Sequence, residues 1–172
     1  MQTFVETKRF ILREIEEEDA QGFFDLDANP AVHKYLRNNP VTSLEQSKVM
    51  IKHVRKQYQE NGIGRWAIID KITNDFVGWT GLKLENNTVL NIQNYYDLGY
   101  RLKQEYWGKG IATETAIASL KYGFEQMGLS EIYAVAHTQN IASNAILQKL
   151  GFQLLRTFED YDAVQNWYRI EK

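Results

Sequence analysis

The stretch that decides the fold is Tyr100–Thr113, which reads YRLKQEYWGKGIAT. A β-rich run ends inside this stretch and an apolar stripe with helical spacing follows it, with Gly108 and Gly110 at the corner between them. Glycines at such a corner let backbone N–H groups approach a ligand closely, and the start of a helix favours anions. The stretch therefore predicts either a cradle for phosphate groups or a tight turn that only packs.

The spacing of this corner argues against the common nucleotide-binding loops. It lacks the glycine pattern of a dinucleotide-binding turn, and Lys109 does not belong to a Gly-Lys-Ser/Thr ending. If the corner binds phosphate, the ligand is another anionic cofactor.

Outward from the corner, periodicity and turn residues predict the other elements of the chain. Helices come first, then antiparallel strands, then a strand-helix-strand-helix segment, which predicts one α/β domain over residues 1–172 with a mixed sheet. The predicted elements are strands at 9–15, 65–70, 76–85, 88–102 and 131–137, a β region at 152–170, and helices at about 16–26, 42–62, 110–127 and 141–150.

Composition excludes several classes of function. The 172 residues include 20 Lys and Arg against 22 Asp and Glu, so the net charge of −2 offers no surplus for binding nucleic acid. There is no cysteine, and the three histidines lack metal-ligand spacing, so no metal site is predicted. The charged start of the chain is unlike a signal peptide or a membrane span, so a cytoplasmic location without membrane contact is expected.

Two motifs resemble the GNAT superfamily of acyl-CoA-dependent N-acetyltransferases. The signature Arg/Gln-x-x-Gly-x-Gly/Ala is met at Gly110 and Ala112, with Trp107 in the first place. The stretch Tyr106–Gly110 is similar to that of the Rim-type branch, the ribosomal-protein N-terminal acetyltransferases. A second motif of that branch, Asn-x-x-Ser followed by Leu-Gly-Phe, is matched by Asn140, Ser143 and residues 150–152. The resemblance implies a mostly antiparallel sheet flanked by helices and splayed at the strands that bind the cofactor.

The resemblance also implies how acetyl-CoA, the co-substrate, is held. Backbone groups at the end of the strand before the corner would pair with the pantetheine arm, after a β-bulge at Gly99, and the loop amides would hold the pyrophosphate with Lys109 nearby. Asn140 would both cap the next helix and bind the arm. The residues expected to contact acetyl-CoA are Tyr100, Arg101, Leu102, Trp107, Gly108, Lys109, Gly110, Ile111, Ala112, Thr113, Asn140 and Ser143.

Acetyl transfer to an amine needs a base, an oxyanion donor and a proton for the thiolate. Asp97 is the first candidate base and Glu85 the second, although Asp97 could equally be a surface carboxylate or a partner of Arg101. The backbone N–H of Leu102 is the expected oxyanion donor. Many members of the resembled family supply the proton from a tyrosine, but that position is Leu147 here, so the resemblance to the Rim-type branch implies Ser143 as the acid.

The resulting prediction is an acetyl-CoA-dependent N-acetyltransferase acting on a primary amine, with the N-terminal α-amine of a protein as the first hypothesis. A small-molecule acceptor such as an amino acid, polyamine or amino sugar is the alternative within enzymes. A non-catalytic acyl-CoA-binding regulatory module is the alternative outside them. Dimers are common in the resembled branch, so a homodimer is a further expectation.

Overall fold

The computed structural model describes residues 2–160 and 162–172. In this part of the chain eight strands form one sheet in the order β1-β2-β3-β4-β5-β6-β8-β7, and β5 with β6 is its parallel pair among antiparallel neighbours. The strands are β1 (Thr3–Glu6), β2 (Phe10–Glu14), β3 (Trp66–Asp70), β4 (Phe76–Glu85), β5 (Tyr95–Leu102), β6 (Glu131–His137), β7 (Gln153–Asp160) and β8 (Ala163–Glu171). The predicted mixed, mostly antiparallel α/β fold is confirmed.

Helices cover both faces of the sheet. The sheet has a hydrophobic core on each face, and successive side chains of β3 point into different cores. Ala67 and Ile69 pack with the first and third helices, whereas Ile68 packs in the larger core under the fourth helix. In the described residues, none of the helices is both long and apolar enough to span a membrane. The helices are α1 (Ala20–Asp27), α2 (Pro30–His33), α3 (Leu44–Asn61), α4 (Ile111–Glu125) and α5 (Ile141–Lys149), with 3₁₀ turns at Glu17–Asp19 and Gln104–Tyr106.

Helix α4 packs through a face of mostly small residues. Ala116, Ser119 and Gly123 are buried against the sheet, which brings the helix close to β4 and β5. The hydroxyl of Ser119 donates to the carbonyl of Thr115 at 2.9 Å, so its burial leaves no unpaired polar group. Ile117 fits the helical spacing of the predicted apolar stripe, but its side chain is 53% exposed, so the prediction that it packs with the stripe is wrong.

Strands β5 and β6 are paired at one position and then separate. Asp97 is opposite Tyr133, and β5 continues to Leu102 without a further partner on that side in the described structure. Strand β6 instead pairs along its whole length with β8 on its other edge. The separation opens a cleft through the sheet, so the predicted splay is confirmed.

Several boundaries differ from the sequence-based prediction. Strand β1 was not predicted. Pro30 was expected to end the first helix, but it begins α2, where the missing N–H of proline costs nothing in a first turn. Strand β5 starts at Tyr95 rather than Thr88, because Leu90, Asn91 and Asn94 have positive φ angles that interrupt an extended chain.

Two further details concern element ends. The sequence pattern Thr42-x-x-Glu45 also fits a capping box at the predicted start of this helix, but the capping box of α3 is formed by Ser43 and Gln46. The predicted β region at 152–170 is two strands, and Tyr161 within it lies outside the described residues.

Buried Asn144 fixes α5 to the sheet beside the cleft. Its amide nitrogen donates to the carbonyls of His137 (2.9 Å) and Asn140 (2.7 Å). Its side-chain oxygen accepts from Asn166 (2.7 Å) and from the hydroxyl of Tyr168 (2.6 Å). All four hydrogen-bonding positions of this amide are therefore used, which sets the distance between α5 and strands β6 and β8.

We predict that Asn144→Leu lowers the free energy of unfolding by about 3 kcal/mol, because several buried polar groups lose their partners at once. Urea denaturation measures the change. The matched control is Gln148→Leu on the exposed side of the same helix, which should alter stability by less than about 0.5 kcal/mol. Equal effects of the two substitutions would contradict the role of the network.

Candidate active site

The separation of β5 and β6 creates a cleft of about 850 Å³. Its lining includes every residue that the sequence analysis proposed for the site except Glu85 and Lys109. The predicted residues that line it are Asp97, Tyr100, Arg101, Leu102, Trp107, Gly108, Gly110, Ile111, Ala112, Thr113, Asn140 and Ser143.

The corner at the start of α4 leaves backbone N–H groups without intrahelical partners. Gly108 and Gly110 have φ angles of 72° and 73°, a left-handed conformation that side chains disfavour. Gly110 is the N-cap of α4, and in the described structure no side chain caps it. The first hydrogen bond of the helix runs from the N–H of Glu114 to the carbonyl of Gly110, at 3.1 Å. The N–H groups of the first turn are therefore open to an anion in the cleft.

Arg9, which the sequence analysis did not select, holds this corner in place. Its Nη1 donates to the carbonyl of Lys109 at 3.0 Å, and its Nε pairs with Glu114 at 2.7 Å. Burial alone would raise the pKa of Glu114, but hydrogen bonds from Thr7 and Arg9 and the positive charge of Arg9 outweigh it and lower that pKa. The pair joins residues 105 positions apart, so no local pattern could have revealed it.

Lys109 itself is not among the residues that line the cleft. Its ammonium lies over the ring of Tyr106, 5.4 Å from the centroid. Its backbone, rather than its charge, contributes to the corner through the contact with Arg9.

The free edge of β5 presents backbone groups to the cleft. The N–H of Lys103 donates to the carbonyl of Val77 at 3.0 Å, so alternation turns the N–H and C=O groups of Leu102 and Tyr100 towards the opening. The backbone of Arg101 belongs to the ladder with β4, and only its side chain reaches the cleft. The indole N–H of Trp107 donates to the Leu102 carbonyl at 2.9 Å, which ties the corner to the end of the strand.

Gly99 is not a bulge. It pairs with Gly81 in regular register along β4 and β5, so that prediction is wrong. A Cβ at Gly99 would lie 2.7 Å from the guanidinium of Arg65. The small residue therefore makes room for Arg65 against the sheet.

Asp97 forms a buried ion pair with Arg65. The two side chains are 13% exposed each, and Nη1 of the same arginine donates to the Asp97 carbonyl at 2.6 Å. Burial raises the pKa of Asp97, and the charge and hydrogen bond of Arg65 oppose that increase. Asp97 is thus neither a surface carboxylate nor a partner of Arg101, whose Nη1 pairs instead with buried Asp27 at 2.7 Å.

The other carboxylates near the site fall into two groups. Glu85 pairs with Lys83 at 2.7 Å and does not line the cleft. Asp160, which the sequence analysis missed, does line it and lies 3.3 Å from Arg37. Only the position of the β7–β8 hairpin brings Asp160 to the cleft, so nothing in its local sequence signals this role.

Ser143 lies in the first turn of α5 with its hydroxyl beside that of Tyr100. The two oxygens are 3.1 Å apart, and the Tyr100 hydroxyl also donates to the Ser143 carbonyl at 3.3 Å. The side-chain oxygen of Asn140 accepts from the N–H of Ser143 at 3.1 Å, as an N-cap does. Burial raises the pKa of Tyr100 to about 12, against the effect of its bond to Ser143.

The histidines do not form a metal centre in the described residues, where no group of three or more His, Asp and Glu side chains could hold an ion. His137 lines the cleft, and its Nδ1 accepts from the N–H of Gln139 at 3.1 Å. In the neutral ring the proton therefore lies on Nε2.

We predict that Asp97→Asn lowers the free energy of unfolding by about 3 kcal/mol, because it leaves the charge of Arg65 buried without its counter-ion. Chemical denaturation at neutral pH measures this loss. Asp160→Asn, on the exposed carboxylate of the same cleft, is the control and should change stability by less than about 1 kcal/mol. A loss at Asp97 no larger than that of the control would show that the ion pair is not structural.

Comparison with known proteins places this geometry in a family. The acetyltransferase (GNAT) domain family matches residues 9–153. The protein named "Uncharacterized N-acetyltransferase YoaA" of Bacillus subtilis (strain 168) is 36% identical over 149 residues, which cover 87% of this chain and 82% of that protein. Spermidine N(1)-acetyltransferase of Escherichia coli (strain K12) is 28% identical over 144 residues, covering 83% of this chain and 72% of that protein.

The fold is shared with solved acetyltransferase structures. RimL, a ribosomal L7/L12 alpha-N-protein acetyltransferase solved in complex with coenzyme A, superposes with a TM-score of 0.82 at 19% identity, over 99% of this chain and 98% of that chain. The resemblance derived from the two motifs is therefore confirmed at the level of the superfamily, and the fold of the ribosomal-protein branch is present. The chain belongs to the GNAT acetyltransferase family and is an acyltransferase enzyme.

Proposed function

We propose that this enzyme transfers the acetyl group of acetyl-CoA to the α-amine of a peptide or protein that enters the cleft between β5 and β6. The observation that carries the proposal is the juxtaposition of two features. A strand edge that has no neighbouring strand at Tyr100 and Leu102 lies next to a helix N-terminus at Gly110, and no side chain caps that helix in the described structure. An extended arm that ends in a pyrophosphate fits both.

The two features divide the binding of acetyl-CoA between them. The pantetheine arm would add to β5 as a further strand, through the backbone groups of Tyr100 and Leu102 and the amide of Asn140. The pyrophosphate would accept hydrogen bonds from the loop and first-turn amides at residues 108–113. Each such bond to a charged oxygen contributes about 1.5–3 kcal/mol, so three or four are enough to anchor the group.

The reaction breaks one bond and forms another. The neutral amine attacks the thioester carbonyl, the C–N bond forms, and the developing oxyanion is stabilised by the N–H of Leu102. The C–S bond then breaks, the thiolate takes a proton from the Ser143 hydroxyl, and the amine nitrogen loses its proton to a base. The Tyr100 hydroxyl, 3.1 Å from that of Ser143, would restore the serine proton and regain its own proton from solvent.

Asp97 remains the proposed base, acting directly or through a water molecule. Burial raises the pKa of Asp97, which makes this carboxylate a stronger base than an exposed one, and its ion pair with Arg65 opposes that increase. Asp160 is the alternative, because it is the other carboxylate that lines the described cleft. Glu85 lies outside the lining and is not part of the proposed mechanism.

An α-amine is the acceptor that needs the least assistance from such a base. With a pKa of about 8, roughly a tenth of an α-amine is neutral at pH 7, against about one part in two thousand for a lysine-type amine with a pKa near 10.4. The stretch Tyr106–Gly110 and the fold shared with RimL support the same choice. The second candidate is a small-molecule amine, which the relationship to a spermidine acetyltransferase favours.

Purified enzyme with acetyl-CoA and a panel of amines tests the function. We expect short peptides with free α-amines to accelerate the release of free thiol, and mass spectrometry to find one added acetyl group on the peptide. Peptides with blocked α-amines but a free lysine are the control and should react far more slowly. Failure of every amine, with binding of acetyl-CoA retained, would refute catalysis by this cleft.

The binding of the pyrophosphate at the corner is tested by Gly110→Glu. The new carboxylate lies where the diphosphate is proposed to bind, so the Kd of acetyl-CoA should rise at least about tenfold. Calorimetry measures the change. Gly128→Glu is the matched control, since Gly128 also has a positive φ (68°) and open space around its Cα, but lies outside the cleft lining. Equal affinities in the two variants would refute the assignment of the corner.

A further inference from the structure

The wall of the cleft on the side of α1 and α2 carries more positive than negative charge. We call it the acceptor wall, and its charged or aromatic members are Lys34, Tyr35, Arg65, Trp79, Asp97 and Arg101. It lies on the face of the sheet opposite α4, since Arg101 contacts Asp27 at the end of α1. The corner that is proposed to hold the diphosphate belongs to α4, which leaves this wall for the acceptor.

Both carboxylates that line the described cleft already have cationic partners. Asp97 is paired with Arg65 and Asp160 with Arg37. An acceptor with a second ammonium group would find no unpaired carboxylate in this lining, whereas Lys34 lies there as a cation without a counter-ion in the described structure. The wall is therefore unfavourable for a polycation.

The guanidinium of Arg101 is held by two contacts but has N–H groups that these contacts do not use. Its Nη1 pairs with Asp27, which is 5% exposed, and its guanidinium lies 5.0 Å from the ring centroid of Trp79. That bond to Asp27 is its one side-chain hydrogen bond in the described residues, whereas a guanidinium carries five N–H donors. The side chain lines the cleft, so the remaining donors are available there.

Lys34 adds a second positive charge to the same wall. It follows α2 directly, is exposed, and lies with its ammonium 5.2 Å from the ring centroid of Tyr35. It forms no ion pair within residues 2–160 and 162–172. The wall thus combines a guanidinium held by Asp27 with an exposed ammonium that lacks a counter-ion in the described structure.

We propose that the acceptor carries a carboxylate beside its reacting amine, and that Arg101 and Lys34 bind this carboxylate. A planar guanidinium binds a carboxylate through two parallel N–H groups, which orients the acceptor as well as attracting it. The inference rests on the proposed function, because it names the class of amine that the same cleft selects. An acidic side chain near a peptide N-terminus and the α-carboxylate of a free amino acid share this chemistry.

The test compares acceptors that differ only in charge. Peptides with amidated C-termini carry Asp, Asn or Lys at the second position, a free amino acid is paired with its amide, and spermidine serves as the polycation. We expect kcat/KM for the Asp peptide to exceed that for the Asn peptide about tenfold or more, mainly through KM. The advantage should shrink as salt is added. The ratio of kcat/KM for the free amino acid to that for its amide is compared with the ratio for the Asp and Asn peptides. If the first ratio is the larger, the bound carboxylate is the α-carboxylate of a free amino acid.

Charge reversal at Lys34 completes the test without disturbing a buried group. Lys34→Glu should reduce kcat/KM for the Asp peptide and raise it for the Lys peptide. Lys121→Glu, 69% exposed on α4 and outside the cleft lining, is the control and should leave the order unchanged. Equal rates for the Asp and Asn peptides, or a preference for spermidine, would overturn the inference while leaving acetyl transfer intact. Failure of every amine would instead overturn the proposed function itself.

Discussion

Strands β5 and β6 share one paired position, Asp97 with Tyr133, and then separate, which leaves the backbone groups of Tyr100 and Leu102 facing a cleft rather than a neighbouring strand. Buried backbone groups must find hydrogen-bond partners, so an opening of this kind is stable only where solvent or a ligand supplies them. The strands are held apart by what packs around them. Strand β8 takes the other edge of β6, and Asn144 fixes α5 beside it.

The charged side chains around the cleft are used to build its walls. Arg65 reaches across Gly99 to pair with Asp97, and Arg101 pairs with Asp27, while both guanidinium groups lie against the ring of Trp79. Buried pairs of this kind add little net stability, but removing one partner is costly. The arrangement keeps cationic groups at fixed positions in a cleft whose carboxylates are already engaged. The same residues therefore shape the fold and, in the proposed function, limit which acceptors fit.

Much of the local geometry of the corner and of the start of α5 could be predicted because its signals are local. Gly108 and Gly110 have the positive φ angles that glycine permits, and Asn140 caps the helix that it precedes. The boundaries of β5 and α2 could not be predicted as well, since the turns around Asn91 and Pro30 depend on what the chain packs against. Ile117 continues the apolar spacing of α4 in the sequence but is 53% exposed, because the helix contacts the sheet through Leu120 and a row of small residues on another face.

Short-range sequence chemistry thus accounts for the corner, the helix caps and the alternation that orients β5. Pairings over long separations account for the rest. Arg9 joins Glu114 across 105 positions, Arg101 joins Asp27 across 74, and Arg65 joins Asp97 across 32. Each charged group could have met many partners of opposite sign along the chain, and the energy of a pair depends on distance and burial, which exist only once the sheet and helices have packed.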